Sequence, residues 1–488
     1  MVVNLSNRHW AVARIGALAL VAVPTTLMLL HAIIRSCLKI QINSNEGWNA
    51  FWTQRLLHGE PLYAPANSLV LNNYPPLSFI FVSFISRLGL DPLVAGRIVA
   101  WASLIGCAFL IFRMLQGLRA GLVISIFASS LYLGFLTTQY ASYIGMFDPQ
   151  FTAQFLMLLG ASLLLREQPN DAGSIAVAAV LMVIGGFFKH SLIALPMTIT
   201  IWLAVFDSRR LWVWLVASAL SLAVGFGLFR LMFGHDFIVG LLTPRVWSLR
   251  SGMYNFIKWS WPIEFAAFVG FAPLFAKPRD RFALCFALFV VSSSIEAFVG
   301  GMGERVSYNA VFDLVAASCL GFGYAITSRH GEAETQSNAF STWASLTCAV
   351  AFVFATTEVG LADEYDLREW RLELTSIQNS TQIAVASLRS RPGPALCQDL
   401  VLCYWAQKPM TLDVNAYVES VRSGQKTYDE LVHLLDTKYF SSIELARSAV
   451  SMDPAVQAAI AGNYDAVDVS IGPYRVWQRK LLLRRQNE

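Results

Sequence analysis

Apolar runs long enough to enter a bilayer dominate the first 359 residues, and polar breaks between them are short. The first run, 10–34, is flanked by Arg8 and Arg14 and lacks a small-residue cleavage site, so it reads as an uncleaved anchor with its N-terminus inside. Further runs fall at 93–112, 120–138, 149–165, 173–188, 191–206, 211–232, 259–276, 282–299, 309–327 and 340–357. The stretch 173–206 is about twice the length of one span and is broken by Lys189-His190, which makes it two.

The run at 76–90 decides the topology. If it crossed, Arg113 and Arg119 would face outward and every later loop would invert with them. As an interfacial or re-entrant helix, it leaves the Arg113/Arg119, Arg209/Arg210 and Lys277/Arg279/Arg281 clusters inside. The second arrangement satisfies the charge bias. It predicts about eleven crossings and places 41–92, 139–148, Lys189-His190, 233–258 and 300–308 on one outer face.

After residue 360 charged residues become frequent and the apolar runs shorten. Pro392-Gly393-Pro394 separates an amphipathic helix at 366–388 from strands expected near 395–402, 438–444, 464–470 and 474–479, with helices near 413–423, 427–435 and 454–462. The expected fold is thus an α-helical polytopic membrane domain over 1–359, with a small outer-face α/β domain over 360–488. Composition agrees with the membrane class: 56% of residues are hydrophobic and 14% charged, where soluble domains approach about 25% charged. The net charge of +4 gives no case for nucleic-acid binding. Of seven cysteines, five lie in or beside apolar runs, and Cys397 and Cys403 are the pair that could form a disulfide if the chain bends between them.

The chemistry concentrates in the loop 41–92. Glu46 follows the first span by a few residues, and Trp48, Phe51, Trp52 and Tyr63 settle that loop at headgroup depth. A carboxylate there can meet a lipid-borne substrate, and partial desolvation helps a carboxylate take a proton near neutral pH. Lys189, His190 and Arg305 are the outer-face cations placed to hold phosphate oxygens, and Trp48, Tyr74 and Tyr308 could line a sugar pocket. Arg97, an ionisable group within an apolar run, is expected at the substrate site, since such groups are rare there and need a partner. Plainer roles compete: Glu46 and Asp148 as helix caps, Lys189 as a snorkelling anchor, and Arg97 as a structural partner of Asp91.

The order of these features resembles the GT-C superfamily of membrane glycosyltransferases. The resemblance rests on the acid after span one, Leu57-His58-Gly59-Glu60-Pro61-Leu62-Tyr63, Tyr74-Pro75-Pro76-Leu77, Gly96-Arg97 and Met146-Phe147-Asp148-Pro149. Within the superfamily the chain is most similar to bacterial aminoarabinose- and mannosyl-transferases, best through about residue 210. The resemblance implies a polyprenyl-phosphate-linked sugar as donor, a lipid or glycan acceptor, membrane lipid as surroundings, and a bacterial inner membrane. It puts Glu46 at the position of the catalytic acid and Asp148 at that of the second outer-loop acid. Asn45 stands where an acidic residue is frequent, which weakens a paired-carboxylate metal site; a divalent metal is left open. Direct displacement with inversion is the expected course. A lipid-sugar transporter or flippase, an O-antigen ligase or polymerase, and a non-catalytic scaffold are the other readings, although no internal repeat of the transporter kind is visible.

Overall fold

The computed structural model describes residues 7–65, 68–166, 171–276, 279–327, 334–358, 367–446, 453–471 and 480–485. Its described membrane part is built mainly of helices. The long helices are α1 (Asn7–Cys37), α4 (Pro92–Gly117), α5 (Leu122–Gln139), α9 (Ser208–Leu241), α13 (Arg281–Met302), α14 (Phe312–Thr327) and α15 (Glu334–Glu358). With the 3-10 turn that leads into α14, these account for the seven described helices long and apolar enough to cross a membrane. α14 is the axis of the bundle, with every residue from Phe312 to Thr327 buried.

The remaining expected spans fall on shorter helices. α6 (Gln150–Leu164), α7 (Ala172–Phe188) and α8 (Ala194–Phe206) have 15, 17 and 13 residues, about 20–25 Å against a hydrocarbon core of about 30 Å. The run at 259–276 is not one helix. Pro262 and Pro273 interrupt its backbone ladder, leaving a 3-10 turn at Trp261–Ile263, α11 (Glu264–Gly270) and α12 (Ala272–Ala276). The expected span 211–232 is longer than the pattern indicated, because α9 turns at Gly234, with φ 72°, and continues to Leu241. That extension reaches the first loop, where Phe237 meets the Tyr63 ring at 5.4 Å.

The first loop is folded rather than open. It contains α2 (Asn45–Leu57) and α3 (Leu77–Ser86). α3 has 10 residues, about 15 Å, too short to cross a bilayer alone. Gly47 on α2 lies so close to Leu400 and Val401 that a Cβ would overlap their backbone.

After α10 (Leu249–Ser260) and the later membrane helices, the C-terminal part opens with α16 (Leu367–Arg389). A four-stranded sheet follows, in the order β1 (Ala395–Cys397), β2 (Ser442–Ala446), β4 (Lys480–Arg485), β3 (Tyr464–Ile471). β1 and β2 are parallel, and β4 is antiparallel to both β2 and β3. Around the sheet lie α17 (Leu400–Trp405), α18 (Val414–Arg422), α19 (Asp429–Asp436) and α20 (Pro454–Asn463). The strand expected over 395–402 therefore ends at Cys397. The chain turns at 398–399 into α17, and that bend brings Cys397 and Cys403 into a disulfide with Cα atoms 5.9 Å apart. The expected strand 474–479 and the expected boundary at 359/360 lie outside the described residues.

This part is not a separate ball. Leu69 of the first loop packs into its core beside Leu412, Tyr417 and Phe440. Phe51 packs with Leu400, Val401 and Tyr404, the two rings of Phe51 and Tyr404 meeting at 5.5 Å.

Glu444 on β2 is fully buried, its Oε2 accepting the Asp399 N–H at 2.8 Å. Burial pushes its carboxyl up to about 8, against a smaller downward pull from the Gln398 backbone. The folded protein thus binds this proton more tightly than the unfolded chain. Its stabilising contribution is complete below about 4.5, the ordinary value, and is lost as pH rises through about 8. Glu444→Gln is expected to raise the melting temperature at pH 9 by about 4 °C or more and to leave it nearly unchanged at pH 4. Melting curves of both proteins across that range check the sign.

Candidate active site

Loops gather at one end of the bundle around a buried ion pair. Glu46 is 0% exposed and Arg97 4%. Arg97 Nε donates to Glu46 Oε2 at 2.8 Å and Nη2 to Oε1 at 3.0 Å. The other guanidinium hydrogens go to the carbonyls of Ser36 (2.9 Å), Leu38 (2.9 Å) and Ile40 (2.7 Å). All five donors of the side chain are used. Glu46 Oε1 also accepts from the N–H of Ile42 at 2.6 Å.

This is a clamp that stitches the irregular chain after α1 onto α4. The base role expected for Glu46 meets an enclosed carboxylate held by a guanidinium. The substrate contact expected for Arg97 meets a side chain with no donor left. Asp91, the other partner considered for Arg97, instead caps α4 through Leu93 N–H at 2.9 Å and accepts from Tyr404 Oη at 2.9 Å.

The clamp also carries the loop between α5 and α6. Arg35 Nη2 donates to the Ala141 carbonyl at 2.6 Å, and Asn49 Nδ2 to that of Phe147 at 2.9 Å. Gly145, at φ 75°, lies against Ser36 and Trp101, and the Phe147 ring fills the space where Gly96 has no side chain. The preference for glycine in Gly96-Arg97 is thus steric.

Asp148 follows directly. It is 4% exposed, and Oδ1 accepts from the Gln150 N–H and from Lys189 Nζ, both at 2.8 Å. Its other oxygen, Oδ2, is buried and accepts no hydrogen bond from any of the described residues. Lys189 is itself buried, and its ammonium stands over the Tyr74 ring at 5.1 Å. Turned so that its nitrogen donates to the Ser307 carbonyl at 3.1 Å, the Asn309 carboxamide offers Lys189 its oxygen at 2.9 Å. The site is therefore a buried carboxylate with one hydrogen-bonded oxygen and one unpartnered oxygen among the described residues, beside a cation whose three hydrogens have acceptors or a ring face.

Aromatic groups wall it. Trp48 meets Tyr74 edge-on with centroids 4.9 Å apart. Burial, then the Asp148 charge, pushes the Tyr74 phenol up, with Arg245 acting in the opposite direction. Tyr143 is pushed up by burial and by Asp148, and Lys189 opposes that. Both phenols stay protonated at neutral pH.

Other expected residues are placed differently. His190 is at the exposed rim, where desolvation and then the Arg245 and Lys189 charges push its imidazole down, so it presents a neutral ring rather than a second cation. Arg305 is exposed, at φ 62°, among Asp413, Glu419 and Glu304, a neighbourhood of the C-terminal part. Tyr308 is stacked into the interior against Tyr140 at 5.9 Å and Trp259 at 5.8 Å, while its neighbours Ser307 and Asn309 reach the site. Arg245, in the loop between α9 and α10, is the arginine whose charge acts on Tyr74 and His190. Asn309, Gln150 and Tyr143 were not singled out by the pattern. The signal for Gln150 was its polarity two residues after Asp148, at the head of an apolar run. Among the described residues no three His, Cys, Asp or Glu side chains gather as a metal site.

Removing one half of a buried ion pair leaves the other uncompensated, at a cost of about 3–5 kcal/mol. Arg97→Met is expected to lower stability by that order, and Glu46→Gln/Arg97→Met to recover part of it. Thermal unfolding of the detergent-solubilised variants measures both, and a double variant no more stable than the single one would contradict the clamp.

No family model matches the sequence, and no curated protein matches it. Among solved structures, the fold is similar to that of ArnT from Cupriavidus metallidurans bound to undecaprenyl phosphate, with a TM-score of 0.57 at 14% identity over 94% of this chain and 97% of that one. The apo state of the same protein gives 0.56 at 12% identity over the same shares. At that identity the likeness is one of architecture, and the chain is an integral membrane protein with an ArnT-like fold.

Proposed function

We propose that this protein is a membrane glycosyltransferase that moves a sugar from a polyprenyl-phosphate donor to a hydroxyl of a cell-envelope lipid or glycan on the outer face, with inversion. The carrying observation is Asp148, a buried carboxylate fixed through Oδ1 by Lys189 while Oδ2 has no partner among the described residues. Support for the donor class comes from the fold, since the similar ArnT structure is bound to undecaprenyl phosphate. In this reading residues 41–92 and 360–488 face outward, as the arginine and lysine bias of the loops requires.

Asp148 acts as the base. The acceptor hydroxyl gives its proton to Oδ2 as its oxygen bonds to the sugar C1. The bond from C1 to the phosphate oxygen breaks on the opposite face, and the polyprenyl phosphate leaves with both electrons. Arg245 meets the charge on that leaving phosphate. Trp48 and Tyr74 stack on the sugar, and His190 offers a neutral hydrogen-bonding ring at the entrance. Glu46 and Arg97 hold the frame, and Arg305 ties the frame to the C-terminal part.

A purified-protein assay with a panel of radiolabelled polyprenyl-phosphate sugars tests the reading. Asp148→Asn keeps size and acceptor oxygen but cannot take the proton, and turnover is expected to fall by about 10²–10⁴ with the protein still folded. Glu46→Gln should instead act mainly on the melting temperature. Transfer by Asp148→Asn above about a tenth of wild type would be too large for a lost base and would remove Asp148 from the role. Donor use separates the arginines: Arg245→Ala is expected to raise the donor KM at least tenfold, about the loss of one charge-assisted contact, whereas Arg305→Ala changes it little. Equal donor constants for the two variants would remove Arg245 from the phosphate.

A further inference from the structure

Glu296 is the sole acidic or basic side chain between Phe282 and Met302 of α13, a mostly apolar span. A carboxylate in such a helix is retained where it has a partner or a task. Its partner is backbone: Oε2 accepts from the N–H of Ile193 at 2.8 Å and of Ala194 at 2.6 Å. These are the first amides of α8, a helix whose own N-cap residue, Ile193, makes no side-chain cap. Glu296 supplies the missing oxygen from a neighbouring helix.

The loop so fixed is short and begins at the site. Lys189 closes α7, its N–H bonded to the Gly185 carbonyl at 3.0 Å, and only His190, Ser191, Leu192 and Ile193 separate it from α8. One end of the segment is therefore held by α7 and the other by Glu296. We propose that Glu296 is a positioning residue for the Asp148–Lys189 pair, acting through the start of α8; this rests on the transferase reading above. Without the carboxylate the exposed amides of α8 release the loop. A shift of about 1 Å in Lys189 then breaks its 2.8 Å bond to Asp148 and can cost on the order of a hundredfold in rate.

Glu296→Ala and Glu296→Gln test this in the full-length purified protein. Gln keeps an acceptor oxygen for the two amides. With both substrates, Glu296→Ala is expected to lower kcat by about ten- to a hundredfold and to leave the donor KM within about threefold, because Arg245 is untouched. Glu296→Gln should recover most of kcat. A kcat for the alanine variant equal to wild type, a loss expressed in KM alone, or a glutamine variant as impaired as alanine would overturn the proposal. Hydrogen exchange at Ile193 and Ala194 and amine labelling of Lys189 read the loop without turnover. Glu296→Ala is expected to speed both, and unchanged rates overturn the positioning role even if no sugar transfer is found, while accelerated rates without transfer sink only the transferase reading.

Discussion

The pairing of Glu46 with Arg97 is the constraint on which the rest of the site depends. A buried guanidinium must have all its hydrogens accepted, and here that requirement draws in the carbonyl of Ser36 at the end of α1 and those of Leu38 and Ile40 just after it, as well as the carboxylate. The end of α1, the start of α2 and the outer turn of α4 are fixed relative to one another by one side chain. The loop carrying Asp148 then closes onto that frame through Arg35 and Asn49. The ion pair is thus placed one layer away from the open carboxylate oxygen, and its energetic role is orientation.

The division of labour between the two acids explains what the sequence could and could not show. Both Glu46 and Asp148 were legible as unusual carboxylates at the same end of an apolar bundle, and Lys189 as a cation beside them. Which acid is fully paired and which keeps an unpartnered oxygen depends on contacts 51 and 41 residues apart in the chain, between Arg97 and Glu46 and between Lys189 and Asp148. No local pattern encodes those distances. Asn309 and Tyr308 make the same point at short range: the aromatic residue drew notice, yet packing turned it into the interior against Tyr140 and gave its amide neighbour the site.

Element positions followed a similar rule. Long apolar helices were read well, because burial in lipid and in protein both demand the same residue types. Errors arose where backbone geometry rather than hydrophobicity decided. Gly234 redirects α9 without ending it. Pro262 and Pro273 divide a run that composition presents as one. Cys397 ends its strand because the chain must bend there to reach Cys403.

The seam between the first loop and the C-terminal part has a consequence for biogenesis. Gln41 donates to Asp399 across 358 residues of chain, and Leu69 and Gly47 rest on elements from that same late region. At synthesis rates of about 5–20 residues per second, the early loop waits roughly 20–70 seconds for the surface that covers it. During that interval Phe51 and Leu69 lack their final neighbours while the membrane helices are already being inserted. Assembly of this protein is therefore timed by its last quarter, and a ribosome that stalls after α15 leaves an inserted bundle whose first loop is still uncovered.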